Sequence, residues 1–196
     1  MLKRIAVFAS GSGTNFQALI DAIDSGEIDS GYIDILIASK ADIYAIERAK
    51  AHDIEYRVYD KADFKSLEEM YTELSKLLKA KSIDLIVLAG YLTIITPELI
   101  KEYENKIINI HPSLIPKYCG MGYYGIKVHQ AVIAGKEKES GATVHFVDEG
   151  ADTGEIIMQE KVPVLPDDTP ETLAARVLEL EHKLLPKAVK YICNKI

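Results

Sequence analysis

A chain of 196 residues, 48% of them hydrophobic and 27% charged, can bury one continuous core and has the charge content of an ordinary globular protein. Its net charge of −7 argues against a broad nucleic-acid surface, which needs a basic face to meet the phosphates. Cys119 and Cys193 are the two cysteines and lie far apart, which argues against a disulfide framework or a zinc site. No stretch approaches the roughly 20 apolar residues of a membrane span, and the apolar run after Lys3 and Arg4 stops at Gly11, too early for a signal peptide. A cytoplasmic chain with neither a nucleic-acid nor a membrane partner is expected.

In chain order, β-rich runs at residues 5–8, 33–38, 54–59, 83–88 and 107–110 alternate with helix-length segments at 16–25, 43–52, 64–80 and 97–103. In the long segment Leu67, Met70, Leu74 and Leu78 recur at helical spacing. Such alternation predicts an α/β fold: a doubly wound, mostly parallel, Rossmann-like sheet with helices on both faces. The last third differs. Strands are predicted at 143–147 and 155–164, joined by the turn-rich segment 148–154, as an antiparallel C-terminal addition. Thr169 is placed to cap a final long helix whose first residue is Pro170. Without a repeat or linker, residues 1–196 read as a single domain.

Three segments carry chemistry. Ser10-Gly11-Ser12-Gly13-Thr14-Asn15 follows the first strand and opens a helix, so Gly13, Thr14 and Asn15 offer backbone donors to a phosphate. Phe16 occupies the place of the third glycine of a dinucleotide fingerprint, and the lysine of a nucleoside-triphosphate loop is missing. Asn109 and His111 alternate on one face at the carboxyl end of the fifth strand, where open α/β sheets bind ligands. Together an amide and an imidazole can polarise a carbonyl and move a proton. Gly150-Ala151-Asp152-Thr153-Gly154 can carry the Asp152 carboxylate into a cleft, where it would raise the pKa of His111 and keep it cationic. His52, His129, His145 and His182 read as structural, and no cluster at ligand spacing suggests a metal.

These segments, with Leu88-Ala89-Gly90-Tyr91, Gly141-Ala142-Thr143-Val144-His145-Phe146-Val147 and the late Glu181-His182 pair, resemble the folate-dependent formyltransferases from Ile5 to about Pro186. The resemblance implies transfer of a formyl group from 10-formyltetrahydrofolate, as co-substrate, to the amine of 5-phosphoribosylglycinamide in purine synthesis, with no metal. Carried over by position, it makes Asn109, His111 and Asp152 catalytic. It puts the substrate phosphate on Gly13, Thr14 and Asn15, the glycinamide end on Glu181, and the folate along Leu92, Thr93, Ile94, Ile95 and Asn109. A monomer or homodimer is implied. Thr93 stands where many relatives have a basic residue, Leu67 falls on the position of a folate-contacting arginine with Lys65 nearby, and Cys119–Gly125 also departs from the pattern. Competing expectations are formylation of another amine, hydrolysis of the formyl donor, and a non-catalytic nucleotide-binding module. The members with those other activities usually carry an added domain, for which this chain leaves no room.

Overall fold

The computed structural model describes residues 1–196. Five strands are parallel: β1 (Lys3–Ala9), β2 (Gly31–Ala38), β3 (Glu55–Val58), β4 (Leu85–Leu88) and β5 (Ile107–His111). The remaining two, β6 (Glu139–Phe146) and β7 (Ile156–Pro163), are antiparallel additions beside β5. All seven form one sheet in the order β3-β2-β1-β4-β5-β6-β7. The order reverses between β1 and β4, so the loops leaving the carboxyl ends of these two strands diverge around a crevice.

Alternation along β1 decides which side chains enter which layer. Ile5, Val7 and Ala9 join a 30-residue apolar cluster with Phe16 and Leu19 of α1 (Thr14–Asp24), Ala45 and Ile46 of α2 (Ala45–Ala51), Val132 of α5 (Ile126–Ala134), and Leu173 and Leu184 of α6 (Pro170–Cys193). Ala6 and Phe8 point the other way, into a 16-residue cluster with Met70 and Leu74 of α3 (Leu67–Ala80) and Leu99 of α4 (Pro97–Glu102). The expected doubly wound sheet with an antiparallel addition is therefore present, with both faces covered. β7 is different: most of its residues are exposed or half-exposed, and it carries Glu160 and Lys161 at the sheet edge, where charge discourages pairing with another strand.

Element ends follow local chemistry. The Thr169 hydroxyl accepts from the Thr172 amide while the Thr172 hydroxyl accepts from the Thr169 amide, a reciprocal cap with Pro170 as first helical residue. α3 starts at Leu67 rather than residue 64, because Ser66 accepts from the Glu69 amide and so sets the boundary. β6 starts four residues before the expected 143, at Glu139, since its early residues find partners on β7 from Pro163 to Glu160.

Candidate active site

β1 delivers the glycine loop to the crevice. Gly13 has φ 70° ahead of the first helical residue, and a Cβ on it would lie 2.7 Å from the Cβ of Ala45. Only glycine allows both that left-handed conformation and the close approach of α2. The loop is tied down from two sides: Ala45 N donates to Gly11 O at 3.2 Å, and the Leu92 amide donates to Ser10 Oγ at 3.0 Å. The first turn of α1, starting at Thr14 and Asn15, contains no acidic residue, so its open amides favour an anion. Asn15 Nδ2 donates to Glu181 Oε2 at 2.6 Å, both side chains being buried. Burial raises the Glu181 carboxyl to about 7 despite that bond. With Nδ2 turned to Glu181, the buried Oδ1 of Asn15 has no partner. Glu181 was expected at the glycinamide end. Its place is beside the glycine loop, outside the cleft lined by the other three site residues.

Asn109, His111 and Asp152 come together although 43 residues separate the first from the last. Asn109 Nδ2 lies 3.4 Å from Asp152 Oδ1, and His111 Nδ1 lies 3.6 Å from Asp152 Oδ2. Asp152 reaches them from a loop residue with φ 59°, the left-handed region that Asp tolerates better than most side chains. Its Oδ2 also accepts from the Gly120 amide at 2.9 Å. Burial pushes the Asp152 carboxyl up, but the His145 and His111 imidazoles and the Gly120 amide outweigh burial and hold it below the ordinary range.

The charge expected on His111 is corrected by its surroundings. The ring is only 5% exposed, and burial lowers its pKa more than the Tyr118 carbonyl and Asp152 raise it. His111 therefore rests neutral. Its Nε2 lies 3.0 Å from the Tyr118 carbonyl oxygen, which can only accept; the proton sits on Nε2, and Nδ1 presents a lone pair beside Asp152.

His145, read from the sequence as structural, is the residue that reading missed. It pairs with Asn109 directly across β5 and β6, and its Nε2 lies 3.2 Å from Asn109 Nδ2 and 3.5 Å from Asp152 Oδ1. Its Nδ1 donates to the Phe146 carbonyl at 2.7 Å, which fixes the ring so that Nε2 stays beside the Asn109 amide and the Asp152 carboxylate. The same carbonyl explains the glycine of Asp-Thr-Gly, since a Cβ on Gly154 would run into Phe146 O. Gly154→Ala should destabilise the fold by about 1–3 kcal/mol and lower kcat, because Phe146 must move and releases His145. Thermal unfolding with kcat measured on the same sample checks this; normal values of both would refute the steric account.

The trio opens into a cleft of about 640 Å3 whose lining also includes Leu92, Thr93, Ile94 and Ile95. Leu92 and Ile94 are largely exposed whereas Ile95 is buried, so this part of the lining presents alternate apolar side chains and backbone. Leu67 packs instead against the apolar layer of α3, and neither it nor Lys65 lines the cleft. No group of three or more His, Cys, Asp or Glu side chains is arranged to hold a metal ion. No helix is long and apolar enough to cross a membrane.

The family model described as formyl transferase matches residues 3–189. The chain belongs to the formyl transferase family. Among relatives of this formyl transferase, the phosphoribosylglycinamide formyltransferase of Haemophilus influenzae is 43% identical over 190 residues, 97% of this chain and 87% of that protein. The chloroplastic phosphoribosylglycinamide formyltransferase of Vigna unguiculata is 42% identical over 193 residues, 98% of this chain but only 62% of the plant protein. This chain thus spans less than two thirds of that relative's length. The crystal structure of glycinamide ribonucleotide transformylase 1 from Symbiobacterium toebii matches with a TM-score of 0.93 at 36% identity, covering 99% of this formyl transferase and 89% of that chain.

Proposed function

We propose that residues 1–196 work as one unit that transfers the formyl group of 10-formyltetrahydrofolate to the amine of 5-phosphoribosylglycinamide. The products are N-formylglycinamide ribonucleotide and tetrahydrofolate, in de novo purine synthesis. The observation that carries this reading is the convergence of Asn109, His111 and Asp152 at the head of one cleft. Gly13, Thr14 and Asn15 take the nucleotide phosphate at the open first turn of α1. Glu181, bonded to Asn15, serves the glycinamide end of the same nucleotide. Leu92, Thr93, Ile94 and Ile95, with Asn109, hold the folate. The enzyme works in the cytoplasm as a monomer or homodimer, on small molecules and without nucleic acid.

In this mechanism the neutral amine attacks the formyl carbon and the carbonyl electrons move to oxygen. Asn109 Nδ2 donates to that oxygen, giving up its long 3.4 Å contact with Asp152. The new ammonium proton passes to the free Nδ1 of His111, and Asp152 stabilises the imidazolium as it forms. The carbonyl re-forms, the bond to N10 of the folate breaks, and Nδ1 returns its proton to N10. His145 stays beside the Asn109 amide throughout.

A spectroscopic assay of tetrahydrofolate release, run with and without glycinamide ribonucleotide, tests the reading. Release that depends on the ribonucleotide is expected. Equal release without it would identify hydrolysis of the formyl donor, and no release in either case would leave a nucleotide-binding module.

A further inference from the structure

We propose that Lys127, carried on the tyrosine-rich segment Tyr118–Lys127, selects a formyl donor by the carboxylate-bearing tail beyond its aromatic ring. The inference rests on the function proposed above and adds to it a determinant of donor specificity. The segment is anchored at the reacting centre, through the Tyr118 carbonyl on His111 and the Gly120 amide on Asp152. From there Met121, Tyr123 and Tyr124 line the same cleft as Leu92 and Ile94, and all five are exposed. A broad apolar and aromatic mouth of this kind suits a flat aromatic group such as a benzoyl ring.

Charge then narrows the choice. No lysine or arginine lines the cleft, whereas Asp148, Glu149 and Asp152 do. A carboxylated tail leaving that mouth is favoured by a nearby cation, and Lys127, which does not itself line the cleft, is held on Tyr124, which does. Its Nζ sits 4.4 Å from the centre of the Tyr124 ring and donates to the Tyr124 hydroxyl at 2.8 Å. Lys117, by contrast, is spent on Glu137, while the tyrosine oxygen is the one polar partner of Lys127. An ammonium held over an aromatic face is fixed in direction yet keeps most of its charge for an incoming anion. The Tyr123 ring is braced edge-on by Tyr118, with centres 6.1 Å apart, and the Tyr118 hydroxyl donates to Glu137 at 3.0 Å. The rim is thereby built rather than loose.

The experiment compares kcat/KM for two donors, 10-formyltetrahydrofolate and 10-formyltetrahydropteroate, which lacks the glutamate tail. The wild-type chain should prefer the glutamylated donor. That preference should fall about 3- to 10-fold in Lys127→Ala, the range of one partly exposed charge-assisted contact, and further in Lys127→Glu. Tyr124→Phe, which keeps the ring and removes the hydroxyl, should fall between wild type and Lys127→Ala. Equal preference in wild type and the lysine variants would overturn the proposal. If the wild-type chain formylates no ribonucleotide with either donor, the functional reading fails instead. The tail proposal is then decided by the binding of tetrahydrofolate against tetrahydropteroate to the same proteins, which Lys127→Glu should equalise.

Discussion

Replacing His111 by alanine should slow formyl transfer by about 100- to 10,000-fold, the usual worth of one positioned proton-transfer group. The nucleotide's affinity should change little, because His111 lies in the cleft and not on the glycine loop. Asp152→Asn tests the charge behind the same step while keeping the size of the side chain. Losing the carboxylate 3.6 Å away should lower the His111 pKa further and slow turnover by about 10- to 1000-fold, as expected for an opposite charge near contact distance. The pH dependence has a definite sign. Burial holds the His111 pKa below its ordinary 6.5, so Nδ1 stays free through neutral pH, and kcat should drop only as the pH falls through that lowered value. Proton NMR titration of His111 beside a kcat profile over the acid range checks both points. A His111 pKa unmoved by Asp152→Asn, together with near-normal turnover, would remove Asp152 from the mechanism.

Glu181 should make the stability of the whole chain pH-dependent. In the folded protein it keeps its proton up to about pH 7, whereas an unperturbed glutamate releases it near 4.5. Between these values folding takes up a proton. The stabilisation is therefore complete below about 4.5 and is lost as the pH rises through 7. The difference corresponds to roughly 3 kcal/mol, or on the order of 10 °C in Tm for a chain of this size. Glu181→Gln can still accept from Asn15 Nδ2 and has no charge to bury, so the loss of stability that residue 181 causes over this window should disappear. Relative to wild type it should gain stability at pH 8 over pH 5. Parallel Tm curves for the two proteins would show that the buried carboxyl is not the source.

Where local pattern determines an element, the sequence was enough to find it. Thr169 and Pro170 mark the start of α6 by their own chemistry, and the isoleucines at 107, 108 and 110 predict β5 because a strand covered on both faces is nearly continuous in apolar residues. Asn109 and His111 were legible for a related reason: they interrupt that apolar run at the ligand-binding end of the sheet. His145 was not. On β6 it is one polar residue among alternating neighbours, and its importance comes from lying opposite Asn109, 36 residues away. No local periodicity encodes that register. The neutral state of His111 was hidden as well, since the residues that bury it arrive from several elements, and a nearby carboxylate alone suggested the opposite charge. Glu181 shows the same limit, as its partner Asn15 lies 166 residues earlier in the chain.

The change from parallel to antiparallel pairing at β5 also bears on how such a chain can vary. Asn109 faces His145 and His111 faces Thr143 because of the ladder between β5 and β6, so the number of residues joining those strands has no say in which side chains meet. Insertions and deletions within the exposed stretch Met121–Gly125 can accumulate at little thermodynamic cost, since lengthening a surface connection adds only slowly to its closure entropy. The β5–β6 register is indifferent to them, while the mouth of the cleft is remade by each one. Lineages can thus retune which donors enter while the chemistry at the head of the cleft stays under separate constraint.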